Sequence, residues 1–172
     1  MTFESIVRMW CKRYKLMRDS PQNRRFYFTD STAGVVELVK NINHKFSPCV
    51  VMESDVEGGG PIERPSMTYP IYFFVRAEEM SDGDAAVVAK NAAKMHAMRF
   101  LSWLKKKHDQ ELAEKPDGDF ARIDLSGYIN FSTVGPLQDG WYAVLVQLER
   151  EEPLNLCVDE DLYDENCECE EE

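Results

Sequence analysis

Residues 69–76 read YPIYFFVR, an almost unbroken apolar run. The length suits a strand, and the lack of alternation requires cover on both faces. Upstream, Pro48–Ser54 (PCVVMES) reads as a second strand. Between them, residues 55–68 contain Gly58-Gly59-Gly60-Pro61 and Pro65, which forbid regular structure in the middle. A loop this long between two strands is a common place for function.

Working outward, the N-terminal side is helical. Phe3, Ile6, Val7, Trp10, Tyr14 and Met17 recur at spacings of three and four, which predicts a helix over Thr2–Arg18. Thr2 is its N-cap, and Ser20-Pro21 ends it. Arg25–Thr29 is a short aromatic strand. Asp30-Ser31 caps a second helix over Thr32–Asn43, although its valines lower helix propensity. On the C-terminal side, Ser81 and Asp82 cap a long helix reaching about Lys107. Ala85, Val88, Ala89, Ala92, His96, Phe100, Trp103 and Leu104 form its stripe. Lys105–Lys107 complement its dipole. Lys115–Asp119 (KPDGD) is a turn. Ile123–Ser132 alternates with period two, and Trp141–Leu148 is a last strand, stopped by Glu151, Glu152 and Pro153.

Turns, not crossover helices, join consecutive strands in this order. The expected fold is therefore α+β, a mainly antiparallel sheet of about four strands with helices packed on one face. A long Gly/Pro hairpin loop and an acidic C-terminal tail complete it. The expected division is a domain over 1–150 and an acidic extension over 151–172.

Composition narrows the classes. The chain has 172 residues, 44% hydrophobic, which is enough for a core and excludes a wholly disordered or collagen-like protein. No apolar run approaches the ~20 residues of a membrane helix, so no membrane is expected. Met1–Ser20 carries charges throughout and does not read as a secretory signal. Five irregularly spaced cysteines argue for a reducing compartment.

The net charge of −11 is unevenly placed. Residues 149–172 hold twelve acids and one base, Arg150, which leaves nineteen of each sign in residues 1–148. Such a block repels itself and reads as a tail. Leu154, Leu156, Val158, Leu162 and Tyr163 interrupt it and offer a way to dock on a neighbour. Residues 1–25 have the opposite sign, with Arg8, Lys12, Arg13, Lys15, Arg18, Arg24 and Arg25 against Glu4 and Asp19. A basic end and an acidic end suit nucleic-acid contact, head-to-tail pairing of subunits, or simply a solvated helix face.

Candidate chemical sites each meet a plainer account. Glu78, Glu79, Asp82 and Asp84 suit a Mg²⁺-dependent nuclease, but acids at a helix start also cap it and stabilise its dipole. Cys157, Cys167 and Cys169 lack the paired spacing of a zinc site, and the acids around them disfavour thiolate. They read as tail thiols. His96 sits on an apolar stripe and reads as an interior histidine, and Cys11 and Cys49 as core. Gly58-Gly59-Gly60 lacks the phosphate-loop frame and reads as an interface-forming loop, together with Arg64. Arg24-Arg25-Phe26-Tyr27-Phe28 mixes cations and rings as single-strand binders do, but one cluster makes no groove. No catalytic residue, cofactor or metal ligand is assigned.

The order of elements resembles a family. A helical N-terminal part precedes strand Pro48–Ser54, the Gly/Pro loop and strand Tyr69–Arg76. The long helix Ser81–Lys107 follows, and the hairpin Ile123–Leu148 passes through Gly140-Trp141-Tyr142-Ala143-Val144. Over residues 1–150 this layout is similar to the tail-terminator, tail-completion and head–tail connector ring proteins of bacteriophages. The resemblance implies a virion protein, assembled in the host cytoplasm as a homo-oligomeric ring of six or twelve copies. Such a ring contacts tail tube and portal or connector proteins, with DNA passing through the lumen without sequence-specific binding. It implies no catalytic residues. Contacts are expected on sheet edges and long loops, here residues 55–68 and Thr133–Gly140 with Leu137, and on Leu162 and Tyr163 of the extension. The contrasting expectations are an acidic inhibitor that mimics DNA and binds a host enzyme, and a small metal-dependent nuclease.

Overall fold

A computed structural model describes residues 1–54, 57–60, 65–78, 83–126 and 129–152. The YPIYFFVR run lies at the centre of a seven-stranded mixed sheet, inside strand β4 (Ser66–Arg76). The elements run α1 (Phe3–Arg13), β1 (Phe26–Thr29), α2 (Thr32–Asn41), β2 (Cys49–Glu53), β3 (Glu57–Gly59), β4, α3 (Gly83–Glu114), β5 (Ile123–Asp124), β6 (Asn130–Leu137) and β7 (Trp141–Glu151). The path across the sheet is β1-β2-β4-β7-β5, with β3 also on β4 and β6 also on β7. Among the described residues no helix is long and apolar enough to cross a membrane.

The fold class is α+β, as the sequence predicts, with two differences. First, β1 and β2 are parallel, pairing Phe26 with Val50 through Thr29 with Glu53. Parallel neighbours need a crossover, and α2 supplies it. Second, the helices do not share one face. Phe3, Ile6, Val7 and Trp10 of α1 and Ala93, Ala97, Phe100 and Leu104 of α3 pack with Val50, Ile71, Phe73, Val144 and Val146. Val35 and Val39 of α2 pack on the other side with Val51, Tyr72, Phe74, Trp141 and Ala143. Alternate residues of β4 thus point into two cores, which is why its run is apolar without alternation. Full burial of a phenylalanine such as Phe73 stabilises by ~2–3 kcal/mol relative to exposure.

Element limits shift for local reasons. Helix α1 ends at Arg13 because Tyr14 turns extended (φ −72°, ψ 118°) while its N–H still reaches Trp10 O. Arg18 then takes a left-handed φ of 48°, and Asp19 Oδ1 accepts from the N–H groups of Arg25 (2.6 Å) and Phe26 (3.0 Å). This carboxylate aims the chain into β1. Thr2 and Ser31 cap α1 and α2 as expected, accepting from Ser5 N and Gly34 N. Helix α3 runs past Lys107 to Glu114, where Glu111 Oε2 accepts from Phe120 N and Ala121 N and closes the KPDGD turn.

The expected strand Ile123–Ser132 divides. Its start pairs as β5 with Arg150 and Glu149, and β6 begins again at Asn130 opposite Gln147. The predicted loop contributes a strand as well: Glu57, Gly58 and Gly59 pair with Thr68, Met67 and Ser66. Residues 55–56 and 61–64 of that loop lie outside the described ones, as does the extension from 153 onward.

Candidate functional site

Both borders of the sheet end in strands that pair on one side, among the described residues. β6 is the longer, a strand of eight residues that pairs with β7 alone. Its register places Phe131 opposite Val146, hence on the face of α1 and α3, yet beyond them and 43% exposed. At the other border, β1 pairs with β2, and Phe28 lies opposite Met52 on that same face, 40% exposed. A free edge with an apolar side chain at each border is a template for pairing with another chain.

The β6–β7 connection is rigidly built. Gly135 has φ +115°, and a Cβ there would sit 2.8 Å from Trp141 O, so glycine is required. The ladder is irregular between Val134 and Leu137, which bends the strand. Arg76 Nε donates to Asp139 O at 2.9 Å, and Ala77 N to Gly140 O at 2.9 Å, so the turn is bound to the end of β4. Leu137 is half-buried and packs against the α2 core.

The other residues singled out by sequence are scattered. Gly58, Gly59 and Gly60 are exposed and line a shallow cleft of about 440 Å³ with Ser66, Thr68 and Glu149. Arg24 Nε donates to Phe26 O (3.3 Å), and its guanidinium covers the Tyr27 ring at 4.9 Å. Arg25 donates to Asn23 Oδ1 (2.8 Å) and Pro48 O (3.2 Å) and covers Phe46 at 5.8 Å. These arginines brace the β1 border. Arg64, Leu162 and Tyr163 lie outside the described residues, as do Glu79, Asp82, Cys157, Cys167 and Cys169. Asp84 occupies the first turn of α3. Among the described residues no group of three or more His, Cys, Asp or Glu is arranged to hold a metal ion.

Buried ionisable groups are held in unreactive forms. Burial pushes the Cys49 thiol up to about 12, and burial followed by Asp19 raises Cys11 well above its ordinary value. His96 is 4% exposed, and burial, then Arg99, lowers it to about 4. Arg99 donates to Tyr14 Oη at 2.6 Å, and the same hydroxyl is hydrogen-bonded to His96 Nδ1 at 3.0 Å. Burial favours the neutral ring, as for an interior histidine. Glu53, a buried carboxylate, accepts from Tyr72 (2.6 Å) and Thr32 (3.2 Å), and burial and this bond raise the Tyr72 phenol.

Two constellations escape a one-dimensional reading. Arg150 is 2% exposed and joins Glu152 (2.7 Å), Asp119 (3.2 Å) and the Met1 carbonyl (3.0 Å). The Met1 ammonium also meets Asp119 at 2.8 Å. Burial would raise Asp119, but the N-terminal ammonium, Arg150 and Arg122 outweigh it and lower its pKa. The signal was Arg150 itself, the one base among twelve acids. The second is a cleft of about 660 Å³ between the end of α1 and the middle of α3. Trp10, Tyr14, Leu16 and Trp103 make it apolar, and Arg13, Lys15 and Arg99 make it cationic. The adjoining KRYKLMR run signalled only its α1 half.

No protein-family model matches this chain, and no curated protein does.

Proposed function

We propose that the chain is a structural subunit of a bacteriophage virion, one copy of a ring at the head–tail junction or tail end. The ring joins the tail tube to the connector or portal, and DNA passes through its lumen. The observation that carries this reading is the pair of dissimilar open borders. A ring needs two different, complementary patches on each copy. β6 runs with β4, whereas β1 runs with β2 in the opposite sense. Setting β6 of one copy against β1 of an identically oriented neighbour makes an antiparallel pair and continues the sheet. Phe131 and Phe28 then meet on one face. The layout of helices and hairpins over residues 1–150 supports the same reading, as does an electrically balanced body. Acids gathered beyond residue 148 do not suit a DNA mimic, which needs them spaced over a folded face.

Light scattering on the purified chain, alone and with its portal or tail neighbours, tests this. A closed oligomer is expected, visible as a ring by electron microscopy. Phe131→Lys should reduce it to monomer while the circular dichroism stays unchanged. A strict monomer under every condition, or an oligomer indifferent to Phe131→Lys and Phe28→Lys, refutes the reading.

A further inference from the structure

The cleft between α1 and α3 has the chemistry of a receptor for an acidic, partly apolar peptide. Its walls are aromatic: Trp10 and Tyr14 stack at 4.6 Å and 17°, and Trp103 borders them. Among the described residues its charged groups are Arg13, Lys15 and Arg99, with no carboxylate in the lining. Among the described residues none of these three has an ion-pair partner within 4.0 Å. Leu16 is exposed at its rim. Trp10 is buried in the core, so the three cations, the half-buried Tyr14 and Trp103 and the exposed Leu16 carry the unmatched charge and apolar surface.

The sequence contains one matching ligand. Residues 154–163 read LNLCVDEDLY: three consecutive acids, Asp159, Glu160 and Asp161, with Leu156 and Val158 before them and Leu162 and Tyr163 after. The reach is short. The Glu152 carboxylate accepts from Tyr69 Oη at 2.7 Å, and the Tyr69 ring lies 4.6 Å from Phe3 at the start of α1. Helix α1 then carries the distance to Tyr14, ~16 Å at 1.5 Å per residue. An extended chain covers ~3.3 Å per residue, so the eleven residues beyond Glu152 up to Tyr163 span up to ~36 Å, against ~16 Å along α1 plus the contacts that join Glu152 through Tyr69 to Phe3. Val158–Tyr163 is therefore within reach of the cleft. So short a tether gives an effective concentration of the order of millimolar, well above that of a second copy in dilute solution.

We propose that the acidic segment Val158–Tyr163 docks in cis in this cleft. Leu162 and Tyr163 lie against Tyr14, Leu16 and Trp103, and Asp159–Asp161 against Arg13, Lys15 and Arg99. The inference is independent of the ring reading, because it concerns the single chain.

Hydrogen-exchange mass spectrometry on the full chain tests this. At low salt and low protein concentration, amides of 158–163 should exchange about tenfold more slowly than an unprotected segment. Raising salt from about 50 mM to about 500 mM should remove that protection, since exposed charges are screened beyond ~10 Å or less. Arg13→Glu with Arg99→Glu should also remove it. Leu162→Ser with Tyr163→Ser should do the same and leaves the body untouched, so a failure of the first variant to fold does not protect the idea. Unprotected exchange in the wild-type chain overturns the proposal, as does protection that survives both variants. Protection that grows with protein concentration means a neighbour's segment occupies the cleft and overturns docking in cis. A single-stranded oligonucleotide bound through Arg13 and Arg99, with no protection of 158–163, makes the cleft a nucleic-acid site and also overturns it.

Discussion

Replacing Arg150 by methionine removes the charge at the junction of β7, the N-terminus and the turn before β5, while roughly keeping the volume. The cost follows from the geometry. The Asp119 and Glu152 side chains remain 33% and 28% exposed, so water screens both ion pairs, each worth ~0.5–1 kcal/mol. The guanidinium also donates to Met1 O, a bond with a charged donor worth ~1.5 kcal/mol. Against this, Arg150 Nε is buried with no acceptor among the described residues, and deleting it recovers about 1 kcal/mol. The net loss is about 2 kcal/mol, below the 3–5 kcal/mol typical of a stranded buried charge, because both carboxylates can rehydrate. Arg150→Ala adds a cavity and about 2 kcal/mol more. Urea unfolding followed by circular dichroism reads this directly: at a slope of roughly 2 kcal/mol/M the methionine variant loses about 1 M in midpoint. A methionine variant as stable as wild type, or one losing more than about 4 kcal/mol, would refute this accounting.

Three further outcomes can be checked. His96 is held near 4 in the folded chain, below its ordinary 6.5, so the unfolded chain binds the extra proton first. Stability should therefore be complete above pH 6.5 and fall as pH drops towards 4, and His96→Gln should flatten that slope in pH-dependent urea melts. Tyr72→Phe removes the shorter of the two bonds to the buried Glu53 carboxylate and should cost ~1–3 kcal/mol, measured by the same melts. Cys11 and Cys49, buried with raised pKa values, should resist iodoacetamide at pH 8 in the native chain and react once it is unfolded, as peptide mass mapping will show.

Much of the fold was legible because local physics produced it. The caps Thr2 and Ser31, the α1 stripe and the apolar run in β4 follow from periodicity and side-chain hydrogen bonding, which act over a few residues. Strand division was not legible. Ile123–Phe131 alternates perfectly, but alternation records which face each residue takes, and β5 and β6 keep one face while changing register on β7. The role of Arg24 and Arg25 was equally hidden, since a cation bracing a ring and one awaiting a phosphate look alike in one dimension.

By itself the sequence determined an α+β chain with a two-sided central strand, a neutral body and an acidic end, because composition and period need no partner to be read. Only the tertiary structure decided that α2 crosses to the opposite face and that Phe28 and Phe131 mark two borders open among the described residues. It also brought Arg150 to Met1 and set Arg13 beside Arg99. Each of these depends on contacts between residues far apart in the chain, and no local preference specifies which distant surfaces meet.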